Sequence, residues 1–240
     1  MSLLLVLMLR QIDLDLWVAE QPLKFLGLEV GTRMTVIRLA DSSLILISPI
    51  KINPELKQQL DTLGTVQYLV APNLFHYLYL AQSQQLYPTA KAIAPPGLTA
   101  KRPELKLDQV FTQDRIEFGG ELQYILLEGF QVFIPPKIAV VNEVVFFHPR
   151  SKTLIITDSA FNFDRTFPLV TQLATRVIGS YGVLKPSWLE KVAVQDQLKL
   201  QQSIELILRW DFQRIIMAHG QIVEQNAQQQ LTAGYSWLLS

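Results

Sequence analysis

Short β-branched runs that end abruptly at a polar residue constrain this chain more than any other feature of it. Thr65-Val66-Gln67-Tyr68-Leu69-Val70 leads through Ala71-Pro72-Asn73-Leu74-Phe75 to His76, Lys152 to Thr157 runs into Asp158, and Gln213 to Ala218 runs into His219-Gly220. Runs of this length and composition read as buried strands. A polar residue at the exit of such a strand sits on the rim of a sheet, where ligand sites in layered α/β proteins gather. The chain has 3 histidines, and two of them occupy such exits.

The elements between these exits follow a grammar that occurs twice. Leu14 to Val18 alternates as a strand, and Met34–Leu39 with Leu44–Ile47 makes a hairpin around Ala40-Asp41-Ser42-Ser43. Asn53 is placed to cap a helix that Pro54 opens and Gly64 stops. Phe75 to Tyr87 has apolar residues at helical spacing, and Lys91 to Ala94 is a strand halted by Pro95-Pro96-Gly97. The second half offers a strand at 121–127 and a hairpin of 144–147 with 153–157 around His148-Pro149-Arg150-Ser151. Helices follow at 165–178 and 196–210, then a strand at 212–218 and a closing helix at 224–239. Two such halves predict two packed sheets with helices outside. No stretch is rich enough in Gly, Pro or Ser to be a linker, so residues 1–240 are expected to form a single domain.

Composition excludes several functions. Lys plus Arg and Asp plus Glu both count 21, and no dense basic run exists, so the electrostatic footprint of a nucleic-acid binder is missing. There is no cysteine, which removes disulfides, thiolate nucleophiles and Cys-based metal sites and fits a reducing, cytoplasmic setting. The apolar start runs unbroken only from Leu3 to Leu9 and Arg10 closes it, so a first strand or ordered tail is expected there, with no membrane span. Neither Gly-x-Ser-x-Gly nor a phosphate loop occurs, and Gly119-Gly120 lacks the third glycine of a dinucleotide loop. The aromatic strip Phe75, Tyr77 and Tyr79, with Trp188 and Trp210, reads as core.

The element order and the residues at the strand exits resemble the metallo-β-lactamase superfamily. Ile47-Ser48-Pro49 lies where that superfamily carries Asp-Thr-Gly, and Ala71 to Tyr77 where it carries Thr-His-x-His-x-Asp-His. Leu154 to Phe161 is similar to its strand ending in a metal-bridging aspartate, and Ala218-His219-Gly220 to its last histidine. The resemblance covers roughly residues 12–239 and points to an uncharacterised branch, a domain of unknown function. It implies an α/β fold, the four-layer αββα sandwich. Pro72 and Leu74 fall on the first two histidine positions, and no histidine stands among Pro135 to Val141, so the usual two-ion centre is not encoded.

What remains as metal ligands is His76, Asp158 and His219, with Asn73 and Tyr77 nearby. Counting across the second hairpin pairs 148 with 153 and 143 with 158, which sets Glu143 beside Asp158. The same count leaves His148 about 16 Å from Asp158 as a surface turn residue. Arg33 and Arg38 read as paired on a solvated hairpin face. Two readings follow: a reduced, non-catalytic or ligand-binding site for a small molecule or protein partner, or a mononuclear hydrolase of an ester, phosphodiester or related bond. In the second, one zinc-like divalent ion is held by the three ligands, while Tyr77 or Glu143 orients water or donates to the leaving group. In the first, the same residues form a polar cluster that needs no ion.

Overall fold

The computed structural model describes residues 8–112, 118, 120–134, 137–194 and 196–239, with side chains of 132–138 excepted. The first seven residues, Gly119 and Pro135-Pro136 lie outside it.

Two β-sheets face each other. The first is built from β1 (Arg10–Asp13), β2 (Leu16–Gln21), β5 (Thr32–Arg38), β6 (Ser43–Ile47), β7 (Thr65–Val70), β8 (Lys91–Ala94) and β9 (Gln109–Val110), in that order across the sheet. A small hairpin, β3 (Lys24–Phe25) with β4 (Leu28–Glu29), projects between β2 and β5. The second sheet has the order β10 (Gln123–Leu126), β13 (Val144–His148), β14 (Thr153–Ile155), β15 (Arg214–Ile216), and a separate hairpin pairs β11 (Gln131–Ile134) with β12 (Lys137–Val140).

Strand alternation sorts the apolar residues into three buried layers. Leu16, Val18, Ile37, Ile45, Ile47, Val70 and Ile93 of the first sheet meet Val144, Phe146, Ile155 and Ile216 of the second. The opposite face of the first sheet, through Val36, Leu44, Leu46 and Leu69, packs on three helices: α1 (Pro54–Leu63), α2 (Leu80–Leu86) and α3 (Leu98–Lys101). α4 (Leu169–Ile178) and α5 (Trp188–Ala193) follow the second hairpin. The outer face of the second sheet, through Val145, Phe147, Leu154 and Ile215, packs on α6 (Gln197–Ile207), α7 (Ala227–Gly234) and α8 (Ser236–Leu239). Helix, sheet, sheet, helix is the four-layer αββα sandwich that the resemblance implies, and it has the two packed sheets with helices outside that the sequence grammar predicts.

The expected elements at 54–63, 65–70 and 91–94 form at those residues, and Asn53 Oδ1 caps α1 by accepting from Leu56 N–H at 2.8 Å. The helix expected over Phe75 to Tyr87 begins only at Leu80. Asn73 Oδ1 accepts from the N–H groups of both Phe75 and His76, holding that stretch in turns instead of helix. Pro168 likewise delays α4 to Leu169. No helix among the described residues is long and apolar enough to cross a membrane.

The hairpin register is as counted, with His148 opposite Thr153. His148 itself corrects the expectation of a surface residue: it is 1% exposed. The strand pair continues to that point, Nδ1 lies 2.8 Å from Ser151 Oγ, and next to it Asp15 of the β1–β2 hairpin accepts from Arg150. Burial lowers its pKa below the usual 6.5, with Asp15 and Glu121 opposing. A lowered folded pKa contributes stability that is present above about pH 6.5 and lost as pH falls through the folded value. His148→Gln should therefore lose less stability than the wild type between pH 7.5 and 5.5 in urea unfolding. An equal loss in both would contradict this reading of His148.

Candidate metal centre

Each sheet contributes a parallel pair of strands to one rim. β6 and β7 run parallel in the first sheet and β14 and β15 in the second, so within each sheet the two chain exits lie at the same end, and the two ends meet where His76, Asp158 and His219 converge. The exits carry Ser48, His76, Asp158 and His219. Loops from the two sheets are tied together beside them, where Val144 N–H donates to Pro72 O at 2.8 Å and Leu74 N–H to Val141 O at 3.0 Å.

His76, Asp158 and His219 converge with their ligating atoms within 4.8 Å of one another. His76 Nε2 lies 3.2 Å from His219 Nε2, and each lies 3.5 Å from Asp158 Oδ1. A tetrahedral zinc-like ion with bonds of about 2.0–2.1 Å needs ligand atoms about 3.3–3.4 Å apart. The observed triangle fits that face.

Every other polar atom of the three side chains is already engaged. His219 Nδ1 lies 2.6 Å from Gly31 O; a carbonyl only accepts, so Nδ1 carries the proton and Nε2 keeps its lone pair toward the centre. Ser48 Oγ lies 2.8 Å from His76 Nδ1, and a hydroxyl can serve either tautomer. Asn73 Nδ2 donates to Asp158 Oδ2 at 2.7 Å, leaving Oδ1 for the centre. Burial, reinforced by His76, lowers the His219 pKa to about 4, so the imidazole is neutral as a ligand must be. Burial opposes charge on Asp158, yet His76, His219 and the Asn73 amide hold its pKa at about 2.

Glu143 lies beside Asp158, as the hairpin count expects. It is fully buried and accepts from Thr157 N–H at 2.7 Å, Asp158 N–H at 2.8 Å and Ser159 Oγ–H at 2.8 Å. Burial first, then the charge of Asp158, pushes its pKa up to about 7. Its geometry makes it the residue that shapes the Asp158 turn. Tyr77 is directed to other partners: Lys101 and Arg102 sit over its ring, and it packs against the outer core of the first sheet.

A family model described as a domain of unknown function (DUF4336) matches residues 14–185. The chain belongs to that family. Among solved structures, this DUF4336 chain is similar to a metallo-β-lactamase from Pontibacter korlensis, with 16% identity, 97% of this chain and 98% of that one covered, and a TM-score of 0.65. It is also similar to a metallo-β-lactamase from Hirschia baltica, at 8% identity, 97% coverage of both chains and a TM-score of 0.63. A third is the metallo-β-lactamase FIM-1 from Pseudomonas aeruginosa in its mono-zinc form, at 10% identity, 98% and 97% coverage and a TM-score of 0.62. At these identities the likeness establishes the metallo-β-lactamase fold. Curated protein sequences give no match.

Three contributors to the DUF4336 site escape sequence reasoning. Ser48 stands where the resemblance set it, but nothing in Ile47-Ser48-Pro49 announces a bond to His76. Gly31 contributes a backbone carbonyl, which has no sequence signature. Arg33 pairs with Glu20 at 2.8 Å, as expected, but it is buried instead of lying on a solvated face. Its guanidinium donates to Met217 O and, at 2.9 Å, to Gly220 O, clamping the His219 turn from both sides. Gly220, at φ +95°, could not carry a side chain: a Cβ there would stand 2.6 Å from Asn162 O. Arg38 pairs with Asp15 at 2.6 Å, as expected.

Glu143→Gln tests how the Asp158 turn is held. An amide turns one acceptor into a donor facing N–H groups, and a buried unmet donor costs about 1–3 kcal/mol. Urea unfolding should show a loss of that order, and a loss under about 0.5 kcal/mol would show that the carboxylate is not what fixes the turn.

Proposed function

We propose that this chain is a reduced, single-ion member of the metallo-β-lactamase fold. His76 Nε2, His219 Nε2 and Asp158 Oδ1 hold one zinc-like divalent ion, and the site binds a small molecule or a group on a protein partner instead of turning over generic substrates. The observation that carries this is the triangle of ligand atoms, with edges of 3.2, 3.5 and 3.5 Å and all remaining polar atoms committed elsewhere. Pro72 and Leu74, on the positions the resemblance assigns to two further histidines, have no donor to give a second ion. We take residues 1–240 as one domain, and the lack of cysteine supports a cytoplasmic setting.

The number of protein ligands favours a second reading. Three is the count found in catalytic zinc sites, whereas structural sites are closed by four. A bound ion would supply Lewis-acid polarisation of a carbonyl or phosphoryl oxygen. Against fast turnover stands the use of the two candidate proton-handling groups: Glu143 is spent on three donors, and Tyr77 lies among Lys101 and Arg102.

Elemental analysis of protein purified without a metal-binding tag should find at most one equivalent of divalent metal. His76→Ala and His219→Ala should each lower that content several-fold or more, since losing even an outer partner of a metal ligand costs about 10–100-fold in affinity, with the circular dichroism spectrum kept. Hydrolysis of generic ester, phosphodiester and β-lactam substrates should stay far below ordinary enzyme rates of about 10 per second. Two equivalents of metal, or turnover at that rate, would overturn the reading. A rate in between that disappears in both histidine variants would favour the mononuclear hydrolase.

A further inference from the structure

Helix α4 is folded inside out. Its buried residues are Thr171, Gln172 and Thr175, and they are held by hydrogen bonds. Thr171 Oγ1 donates to Glu29 O of β4 at 3.0 Å, and Gln172 Nε2 donates to the carbonyls of Arg165 and Phe167 at 3.2 and 2.7 Å. Leu169, Val170, Leu173 and Val177 form the solvent stripe instead, 63 to 74% exposed. A helix on the surface of a globular protein normally has the reverse arrangement.

The apolar stripe does not end with α4. Trp188, at the start of α5, donates its indole Nε1–H to Val177 O at 3.1 Å, which holds its half-exposed ring against the end of α4. Val192 of α5 is also exposed. The β3–β4 hairpin, tied to α4 through Thr171 and Glu29, exposes Phe25 and Leu26 at its tip. This corrects the expectation that Trp188 is core. Isolated exposed apolar side chains are ordinary, but a continuous run of them marks a surface that something covers.

Charge around the stripe distinguishes the occupants. Over residues 161–193 the charged side chains that are not buried are Arg165, Arg176, Lys185 and Lys191, against the single carboxylate Asp164; on the β3–β4 hairpin Lys24 pairs with Glu29 at 3.4 Å and adds no net charge. Glu190 is buried and accepts from Ser187 Oγ. The rim is therefore basic although the whole chain has a net charge of zero. Two copies meeting through this face would bring like-charged rims together. A bilayer with anionic headgroups offers acyl chains to the Leu, Val and Trp side chains and negative charge to the rim.

We propose that the exposed face of α4 and α5, with the Phe25-Leu26 tip, is a docking surface for an anionic lipid bilayer, on which the chain lies without spanning it. This goes beyond the metal-site reading and rests on different residues, so either can fail alone.

Vesicle co-sedimentation of the full chain tests it, using phosphatidylcholine vesicles with and without about one-third phosphatidylglycerol. The wild type should pellet with the anionic vesicles and not with neutral ones, and high salt should release it. Leu173→Glu and Val177→Glu should each weaken partitioning about tenfold or more by removing apolar contact and adding repulsion. Arg176→Gln with Lys185→Gln should weaken it several-fold with the stripe intact. Because all four positions lie at the surface, circular dichroism and thermal unfolding like the wild type's will show that each variant is folded. No pelleting, or equal pelleting with neutral vesicles, would overturn the proposal. So would light scattering that finds a wild-type dimer, dispersed by Leu173→Glu, with no vesicle binding; that result would assign the face to a second copy.

Discussion

A buried carboxylate, Glu143, sets the turn on which the rest of the site depends. Placing such a group away from water is unfavourable unless its oxygens are satisfied, and here Thr157, Asp158 and Ser159 satisfy them. Those bonds turn the chain leaving β14 so that Asp158 faces the first sheet. Asn73 then carries the connection across: its amide donates to Asp158 and its carbonyl accepts from His76 N–H. Ser48 holds His76 from behind, while Gly31 and Arg33 hold the His219 turn. A connected run of hydrogen bonds thus links both sheets through residues that are not themselves ligands, the kind of outer support that orients metal-binding side chains.

Much of this was legible in the sequence because the relevant signals are local. Runs such as Thr65–Val70 show a strand by composition, and the polar residue that ends each run marks the rim. The hairpin around Pro149 to Ser151 fixes register by simple counting, which is how Glu143 could be set beside Asp158 without coordinates. One local signal misled. Phe75 to Leu80 has helical spacing, but the side chain of Asn73 competes successfully for its N–H groups. α4 also has a strong helical period, and the period alone cannot tell which stripe faces the protein.

Long-range contacts were not legible. His219 bonds a carbonyl 188 residues away in sequence, and any residue there would supply the same oxygen. Arg33 looks like any surface arginine on a hairpin until β5 is placed over the β15 exit. His148 is buried within reach of Asp13 and Asp15 of the β1–β2 hairpin, far from its own turn in sequence. In each case the partner is chosen by how the two sheets stack, which no window of sequence contains.

The fold is that of metallo-β-lactamases, yet the fold alone does not set the chemistry. What this chain presents is one set of three atoms spaced as the ligands of one ion would be, held by a shell of hydrogen bonds. Diffraction at the zinc absorption edge, from crystals grown with and without zinc, tests that claim most directly. It should show one anomalous peak bonded to His76 Nε2, His219 Nε2 and Asp158 Oδ1, with the Ser48, Asn73 and Gly31 contacts present in both crystals. A peak elsewhere, a second peak beside Pro72 and Leu74, or a zinc-free crystal in which the three ligand atoms have moved apart by several ångströms would contradict it.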